Sequence, residues 1–478
     1  MAELITPDLC VIGAGLGGLA AVAEARALGA SVVLVERDRP GGDSLGTGAI
    51  PSQALAAAGA RASLIRSAGA FGIVADEPKV NFRRVHDSVG QVIAALGVRD
   101  AAARLEALGV QVVQGVARFT DSRTVAVGDV TIRARRFIVA TGARSVVPAI
   151  PGLDGVPYFT ADTIFDNTRK LTHLVIIGGG PVGLELAQSY NRLGTQVTVV
   201  EEGEPLAGID PDLAEVALAR LREEGVEILP QSRVAAIQAR SQGIGVLVSS
   251  QAGETALDVS HILVAGERVP AIDLLDIEKA GIRRRKSDPR YLQLSPGLRS
   301  TNRRVYVIGD AAGGPQHGHL AAWHAGLAVR SAVLGQPVRA DAGLVPTVIG
   351  TDPEIAQVGL TEAEAQKRYA GRLSVVRASY ADNDRARVTR TTYGVAKLFV
   401  GPGGRILGAG VAGAGAGELV ALFAYAMANG LPIGSLARFV APHPSFAALA
   451  RQLAEESARG QGVSKLQQRL ASIVRLLP

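Results

Sequence analysis

The feature that most restricts how this 478-residue chain can fold is a glycine fingerprint that occurs twice in the same surroundings. In the first copy the apolar run Leu9-Cys10-Val11-Ile12 opens into Gly13-Ala14-Gly15-Leu16-Gly17-Gly18. It continues as an alanine-rich helical stretch, Leu19 to Leu28, and returns as a strand, Ser31 to Val35, that ends on Glu36. The second copy runs from Leu174 to Ile177 into Gly178-Gly179-Gly180-Pro181-Val182-Gly183, a helix through Leu193, and a strand Gln196 to Val200 closing on Glu201. The distance from first glycine to terminal glutamate is the same in both. Strand, tight turn, helix, strand and acid in that order make a βαβ unit that binds a dinucleotide. Gly13 and Gly178 let the chain turn, Gly15 and Gly180 let backbone approach a pyrophosphate, and Gly18 and Gly183 let helix pack close to strand. The helix N-termini offer free N–H groups to phosphates, and Glu36 and Glu201 are placed to accept hydrogen bonds from a ribose. One such motif is weak evidence, but two with every part in order make chance improbable.

The second copy also bears on cofactor choice. A site for NADPH needs a cation near the end of the second strand to meet the 2′-phosphate, and the chain offers Glu201-Glu202-Gly203-Glu204 there, so NADH is favoured.

Length and a hydrophobic content of 47% allow a large core divided over about three domains. The net charge of +6 comes from Lys and Arg dispersed along the chain, with only 4% aromatic residues among them, which argues against nucleic acid. A single cysteine, Cys10, excludes an intramolecular disulfide and a cysteine-built metal site, and fits a reducing cytoplasm. Its place in the run Leu9 to Ile12 predicts a small apolar side chain in a buried parallel strand. The start, Met1-Ala2-Glu3-Leu4, does not read as a secretion signal, and the longest apolar stretch, around Leu419 to Ala428, is short of the roughly 20 residues a spanning helix needs. These readings predict a cytoplasmic protein, attached at most to a membrane surface.

Three further segments extend the pattern. Phe137-Ile138-Val139-Ala140-Thr141-Gly142, Arg304-Val305-Tyr306-Val307-Ile308-Gly309-Asp310, and Val345-Pro346-Thr347 through Asp352-Pro353-Glu354 to Glu362, read with the two fingerprints, resemble the class I pyridine nucleotide-disulfide oxidoreductase (flavoprotein disulfide reductase) family, of dihydrolipoamide dehydrogenase and mercuric reductase type. The resemblance implies an α/β protein with two Rossmann-like dinucleotide-binding domains, for FAD and NAD, and an α+β C-terminal dimerisation domain. It divides the chain into an FAD-binding part at 1–147, an NAD-binding domain at 148–276, a second FAD-binding part at 277–343, an interface domain at 344–460 and a basic amphipathic helix at 461–478. It also implies a homodimer. The first fingerprint becomes the FAD site, joined by Gly42, Ala117, Thr141, Gly142, Asp310, Gly318 and His319; the second becomes the NAD site, joined by Val234.

The departures from the family pattern carry the chemistry. The family's redox motif, Gly-Gly-x-Cys-x-x-x-x-Cys-Ile-Pro-Ser-Lys, reads here Gly41-Gly42-Asp43-Ser44-Leu45-Gly46-Thr47-Gly48-Ala49-Ile50-Pro51-Ser52-Gln53. Ser44 and Ala49 replace both sulfurs, and neither can perform thiol exchange. Gln53 replaces the lysine that in the family pairs with a glutamate beside flavin and nicotinamide, here Glu185. A carboxylate deprived of that cation is expected to bond to Gln53 or to titrate upward. The family's His-Pro-x-x-x-Glu reads His443-Pro444-Ser445-Phe446-Ala447-Ala448, so the histidine remains without its orienting glutamate. A family turn resembling Ala-Thr-Gly-Arg is altered to Ala265-Gly266-Glu267-Arg268.

Two readings follow. In the first, the chain is an FAD-dependent NADH oxidoreductase that passes electrons from reduced flavin directly to a small-molecule acceptor such as a quinone, a dye-like molecule or a metal ion. In that reading the cavity on the former thiol face receives the acceptor, and His443, reaching over from the partner subunit, donates a proton. In the alternative, it is a binding, sensing or assembly subunit that keeps its cofactors without turnover. His317, His319 and His324 lie close together but lack acidic or cysteine partners, so no metal site is expected, and Gly318 and His319 are expected to give backbone contacts to FAD. At the C-terminus Val463, Leu466, Leu470, Ile473, Val474 and Leu477 recur at helical spacing beside Lys465, Arg469 and Arg475, which suits docking on the dimer or on an anionic membrane.

Overall fold

Strands buried on both faces form the centre of the first layer. A computed structural model describes residues 3–97, 105–461 and 465–475. In it the runs Leu9–Ile12, Val32–Glu36 and Arg136–Val139 join Val305–Val307 and Gln111–Gln114 in a parallel five-stranded sheet. Such runs suit a parallel sheet because both of its faces are covered. Leu9 and Val11 face a core shared with Ala21, Val22, Ala325 and Val329. Cys10 and Ile12, on the opposite face, pack with Phe119, Val125 and Ile132 of a smaller sheet. Cys10 sits between Val33 and Phe137, fully buried, and burial pushes its thiol up to about 12, the inert strand residue expected from the sequence.

The second fingerprint builds a second parallel sheet, ordered Phe159–Thr160, His261–Val264, His173–Ile177, Gln196–Val200, Glu227–Leu229. An antiparallel meander of Ser232–Ala239, Ile244–Ser250 and Gly253–Val259 accompanies it. The described residues of 1–204 and 225–341 form one compact unit, and those of 205–224 and 342–478 form another.

The second unit holds an antiparallel five-stranded sheet ordered Thr347–Ile349, Glu354–Gly359, Ile406–Gly413, Val395–Val400, Ser374–Ser379. Its core includes Leu419, Val420 and Phe423 from the helix Ala416–Ala428, so one face of the apolar stretch noted in the sequence packs inside, while Tyr425 is exposed. No helix among the described residues is long and apolar enough to cross a membrane. Within the segment 461–478 a helix spans Lys465–Val474, with Leu470 and Val474 exposed; Val463 and Leu477 lie outside the described residues.

Lys397, 1% exposed on the sheet of this unit, is surrounded by acids. Its Nζ lies 2.6 Å from Asp212 Oδ1, 2.7 Å from Glu362 Oε2 and 3.6 Å from Asp210 Oδ2. Burial alone would lower the lysine, but the hydrogen bonds it donates to Asp212 and Glu362 and the surrounding negative charge hold it above the ordinary value. Asp210 is only 3% exposed, and burial raises its carboxyl. Removing the cation therefore strands a buried acid. Lys397→Met is expected to destabilise this unit by about 3–5 kcal/mol in a urea melt; an unshifted midpoint would show that the cluster contributes no net stability.

Candidate active site

Each fingerprint is built on a helix that touches the turn before it. Gly13 takes φ +103° and Gly178 φ +117°, conformations that side chains rarely adopt. A Cβ on Gly18 would overlap the carbonyl oxygen of Gly13, and one on Gly183 would overlap that of Gly178. The helices Leu16–Ala27 and Pro181–Arg192 start at Gly15 and Gly180, neither of which caps them with a side chain. Their first N–H groups are thus left for a ligand.

The acids at the strand ends behave alike. Glu36 Oε2 accepts from Ala14 N at 2.5 Å and Oε1 from Asp38 N at 2.8 Å. Glu201 Oε2 accepts from Gly179 N at 2.6 Å and Oε1 from Gly203 N at 2.9 Å. These bonds fix each carboxylate beside its glycine turn and leave acceptor capacity for sugar hydroxyls. Val234 is buried two residues beyond Ser232, whose N–H donates to Glu201 O at 2.8 Å.

A cavity of about 960 Å³ opens over the first fingerprint. It brings together Gly13, Gly15, Glu36, Gly42, Ser44, Ala117, Thr141, Gly142, Asp310 and Gly318. Gly18 lies behind it as a packing residue, and His319 and Gln53 are not among its lining. Glu185 and the residues of the second fingerprint belong to the neighbouring Rossmann unit, and His443 belongs to the C-terminal unit.

The lining fits FAD. The Thr141 hydroxyl is buried at the wall without a hydrogen-bond partner, Gly15 and Gly42 bring bare backbone to the rim, and an uncapped helix start faces the space between. Ser44 sits in the short helix Gly42–Gly46, where a Cβ on Gly318 would come within 3.0 Å of its Oγ. A hydroxyl therefore occupies the wall where the family carries sulfur.

Arg268 is the group that the sequence reading did not single out. Its guanidinium meets Asp43 Oδ2 at 2.5 Å and Asp162 Oδ1 at 2.6 Å, and donates to Ala143 O at 3.2 Å. Ser145 Oγ donates to Asp162 at 2.7 Å. Asp43 lines the cavity beside Ser44, so Arg268 ties that wall to the segment after the second parallel sheet. Asp43 and Asp162 lie far from Arg268 in sequence, so no local spacing marked it. Burial pushes Asp310 up to about 6, with the Arg268 charge opposing and Asp43 adding to the rise.

The helices Ala49–Ser67 and Pro181–Arg192 meet where a Cβ on Gly59 would lie 3.2 Å from Ser189 O, and Arg66 Nη1 donates to Arg192 O at 2.7 Å. Gln53 and Glu185 belong to these two helices. Of the histidines, His324 accepts from Gly309 N at 3.3 Å through Nδ1, and burial holds it down at about 4. It therefore supports the turn that carries Asp310. His317 and His319 stack with ring centroids 5.0 Å apart.

Residues 7–325 match the family model described as pyridine nucleotide-disulphide oxidoreductase, and residues 345–453 match the dimerisation domain of that family. The chain is 33% identical to a mercuric reductase of Streptomyces lividans, covering 92% of this chain and 94% of that protein. It is also 33% identical to a dihydrolipoyl dehydrogenase of Haloferax volcanii, covering 96% and 98%. Among solved structures, the HOCl-induced flavoprotein disulfide reductase RclA from Escherichia coli superimposes with a TM-score of 0.82 at 27% identity, over 94% of this chain and 99% of that one. A Cu(II) complex of RclA matches equally well.

The raised Asp310 has a consequence for stability. Its folded value of about 6 lies above the unfolded value near 3.9, so the folded state binds the proton more tightly and loses that advantage as pH rises through the interval. In flavin-free protein the urea midpoint of Asp310→Asn, which carries no such proton, should gain on wild type from about pH 4 to about pH 6. A pH-independent difference would place the carboxyl in a solvated setting instead.

Proposed function

Since the chain belongs to the pyridine nucleotide-disulphide oxidoreductase family, we propose that it oxidises NADH through bound FAD and hands the electrons directly to a non-disulfide acceptor, namely a quinone, a dye-like molecule or a metal ion. The observation that carries this reading is the contrast between two complete nucleotide cradles and a cavity wall without sulfur, where Ser44 stands, with Ala49 at the second cysteine position of the sequence motif. Conserving a hydride donor site has little use unless hydride still moves.

FAD supplies the two-electron chemistry when bound, accepting hydride from nicotinamide and releasing electrons to the acceptor. The chain's contribution is position and electrostatics. The turn at Gly13 and the start of helix Leu16–Ala27 hold the pyrophosphate, Glu36 the adenosine ribose, and Asp310 the ribitol chain. Ala117, Thr141, Gly142, Gly318 and His319 contribute further contacts. The second turn, with Glu201 and Val234, holds NADH. As the family resemblance implies, Glu185 and Gln53 would flank flavin and nicotinamide, and Ser44 would line the space left for the acceptor. His443, reaching from the partner of a homodimer as the family resemblance implies, gives the acceptor its proton. The Cu(II) complex of RclA supports a metal ion among the acceptors.

Cofactor choice follows from charge. Glu201 is already committed to Gly179 N and Gly203 N, and Glu202 and Glu204 add further negative charge where a 2′-phosphate would lie. Anaerobic mixing with NADH should bleach the flavin absorbance within a turnover time, whereas NADPH should do so at least about tenfold less efficiently. Glu202→Arg should narrow that gap. Failure of NADH to reduce the flavin would refute the proposal, and equal use of the two nucleotides would refute its cofactor preference.

A further inference from the structure

His443 has lost the glutamate that the family sequence places five residues after it, since Ala448 stands there. In the structure another carboxylate stands beside the ring. Asp384 Oδ2 lies 3.8 Å from His443 Nδ1, and among the described residues it is the acid found within ion-pair distance of the imidazole. The two residues are far apart in sequence, and no spacing rule connects them.

The pairing is held by buried groups beneath an exposed surface. Asn383 is 1% exposed and precedes Asp384 directly. Its Oδ1 accepts from Ala386 N at 3.1 Å, capping the helix Asp384–Thr389, while its Nδ2 donates to Ser445 O at 3.0 Å. One buried amide thus fixes both the start of the helix bearing Asp384 and the turn bearing His443. Tyr380 reinforces the arrangement, with its ring centroid 5.7 Å from that of Phe446 and its hydroxyl donating to Ala414 O at 3.1 Å. The other charged groups nearby are turned to different partners. Asp382 faces Arg387 at 3.5 Å, Arg387 donates to Ala381 O, and Arg451 pairs with Glu455 at 2.8 Å. Arg385, next to Asp384 on the helix, has no bond to the ring.

We infer that Asp384 takes over the role of the missing glutamate as the positioning residue for His443. This rests on the reading of His443 as proton donor given above. At 3.8 Å the pair falls short of a hydrogen bond, and rotation of the exposed carboxylate closes the gap, as happens when such pairs tighten in a working complex. With Nδ1–H directed at Asp384, Nε2 is the nitrogen presented outward. A quinone acceptor takes one hydride from the reduced cofactor and one proton from Nε2 of the imidazolium. The products are hydroquinone and a neutral imidazole that keeps its Nδ1–H, and solvent restores the lost proton. The carboxylate fixes the tautomer and the aim of the ring and does not itself exchange the proton.

The test uses full-length holoprotein with ¹⁵N-labelled histidine. The His443 nitrogen shifts, assigned by comparison with His443→Gln, should report the Nδ1–H tautomer of the neutral ring in wild type and revert toward Nε2–H in Asp384→Asn. Reoxidation of NADH-reduced protein by a benzoquinone should slow about tenfold in Asp384→Asn. It should stay near wild type in Asp384→Glu and recover when Ala448→Glu is added to Asp384→Asn. A tautomer unchanged by Asp384→Asn overturns the inference, whatever happens to the rate. If His443→Gln is reoxidised at the wild-type rate, the proton-donor reading fails, and the tautomer measurement still decides the role of Asp384.

Discussion

Both nucleotide cradles depend on one contact, the approach of a helix start to the carbonyl oxygen of the turn behind it. At Gly18 and Gly183 that approach leaves no room for a single methyl group. The consequence is directional. A helix held so close points its unbonded N–H groups into the space beyond the sheet, and the acid at the end of the next strand is brought up to the same turn. The sheets supply a rigid base because their strands are buried on both faces. Everything proposed about electron transfer presupposes that two such cradles remain undamaged in one chain.

Around them the site has changed its electrostatics. The loop that bears sulfur in the family here carries Asp43 into the cavity wall, and Asp310 stands close enough to feel it. An anionic cofactor beside two carboxylates would be disfavoured without compensation. Arg268 supplies it, bridging Asp43 and Asp162 while burial and neighbouring acids compete for its charge. Loss of thiol chemistry is thus accompanied by a polar network that keeps the emptied wall in place. The same theme recurs at the histidine, where an acid from a different element faces the ring that lost its glutamate.

Much of this was legible in the sequence because the fingerprints encode a local geometry. Strand, turn, helix and acid lie within one short stretch, and the structure reproduces them with boundaries shifted by a few residues. The helix expected from Leu19 to Leu28 spans Leu16–Ala27, and the strand expected from Ser31 and closing on Glu36 spans Val32–Glu36. Cys10 was legible for the same reason, as one member of an apolar run. Arg268 and Asp384 were not. Their partners lie far away in sequence, at Asp43, Asp162 and His443, and are brought near only by tertiary packing. A charge whose partner is distant in sequence leaves no periodicity or spacing to read. The altered turn Ala265 to Arg268 could be seen as a departure, but not as the hub of the cavity wall.

The central claim is that electrons leave the reduced flavin without passing through sulfur, and the oxidative half-reaction tests it most directly. Protein reduced anaerobically with NADH is mixed in a stopped-flow instrument with a benzoquinone in one syringe and oxidised lipoamide in another. The account predicts that flavin absorbance returns within a turnover time with the quinone and does not return with the disulfide. Reoxidation by lipoamide, with the quinone inert, would contradict it.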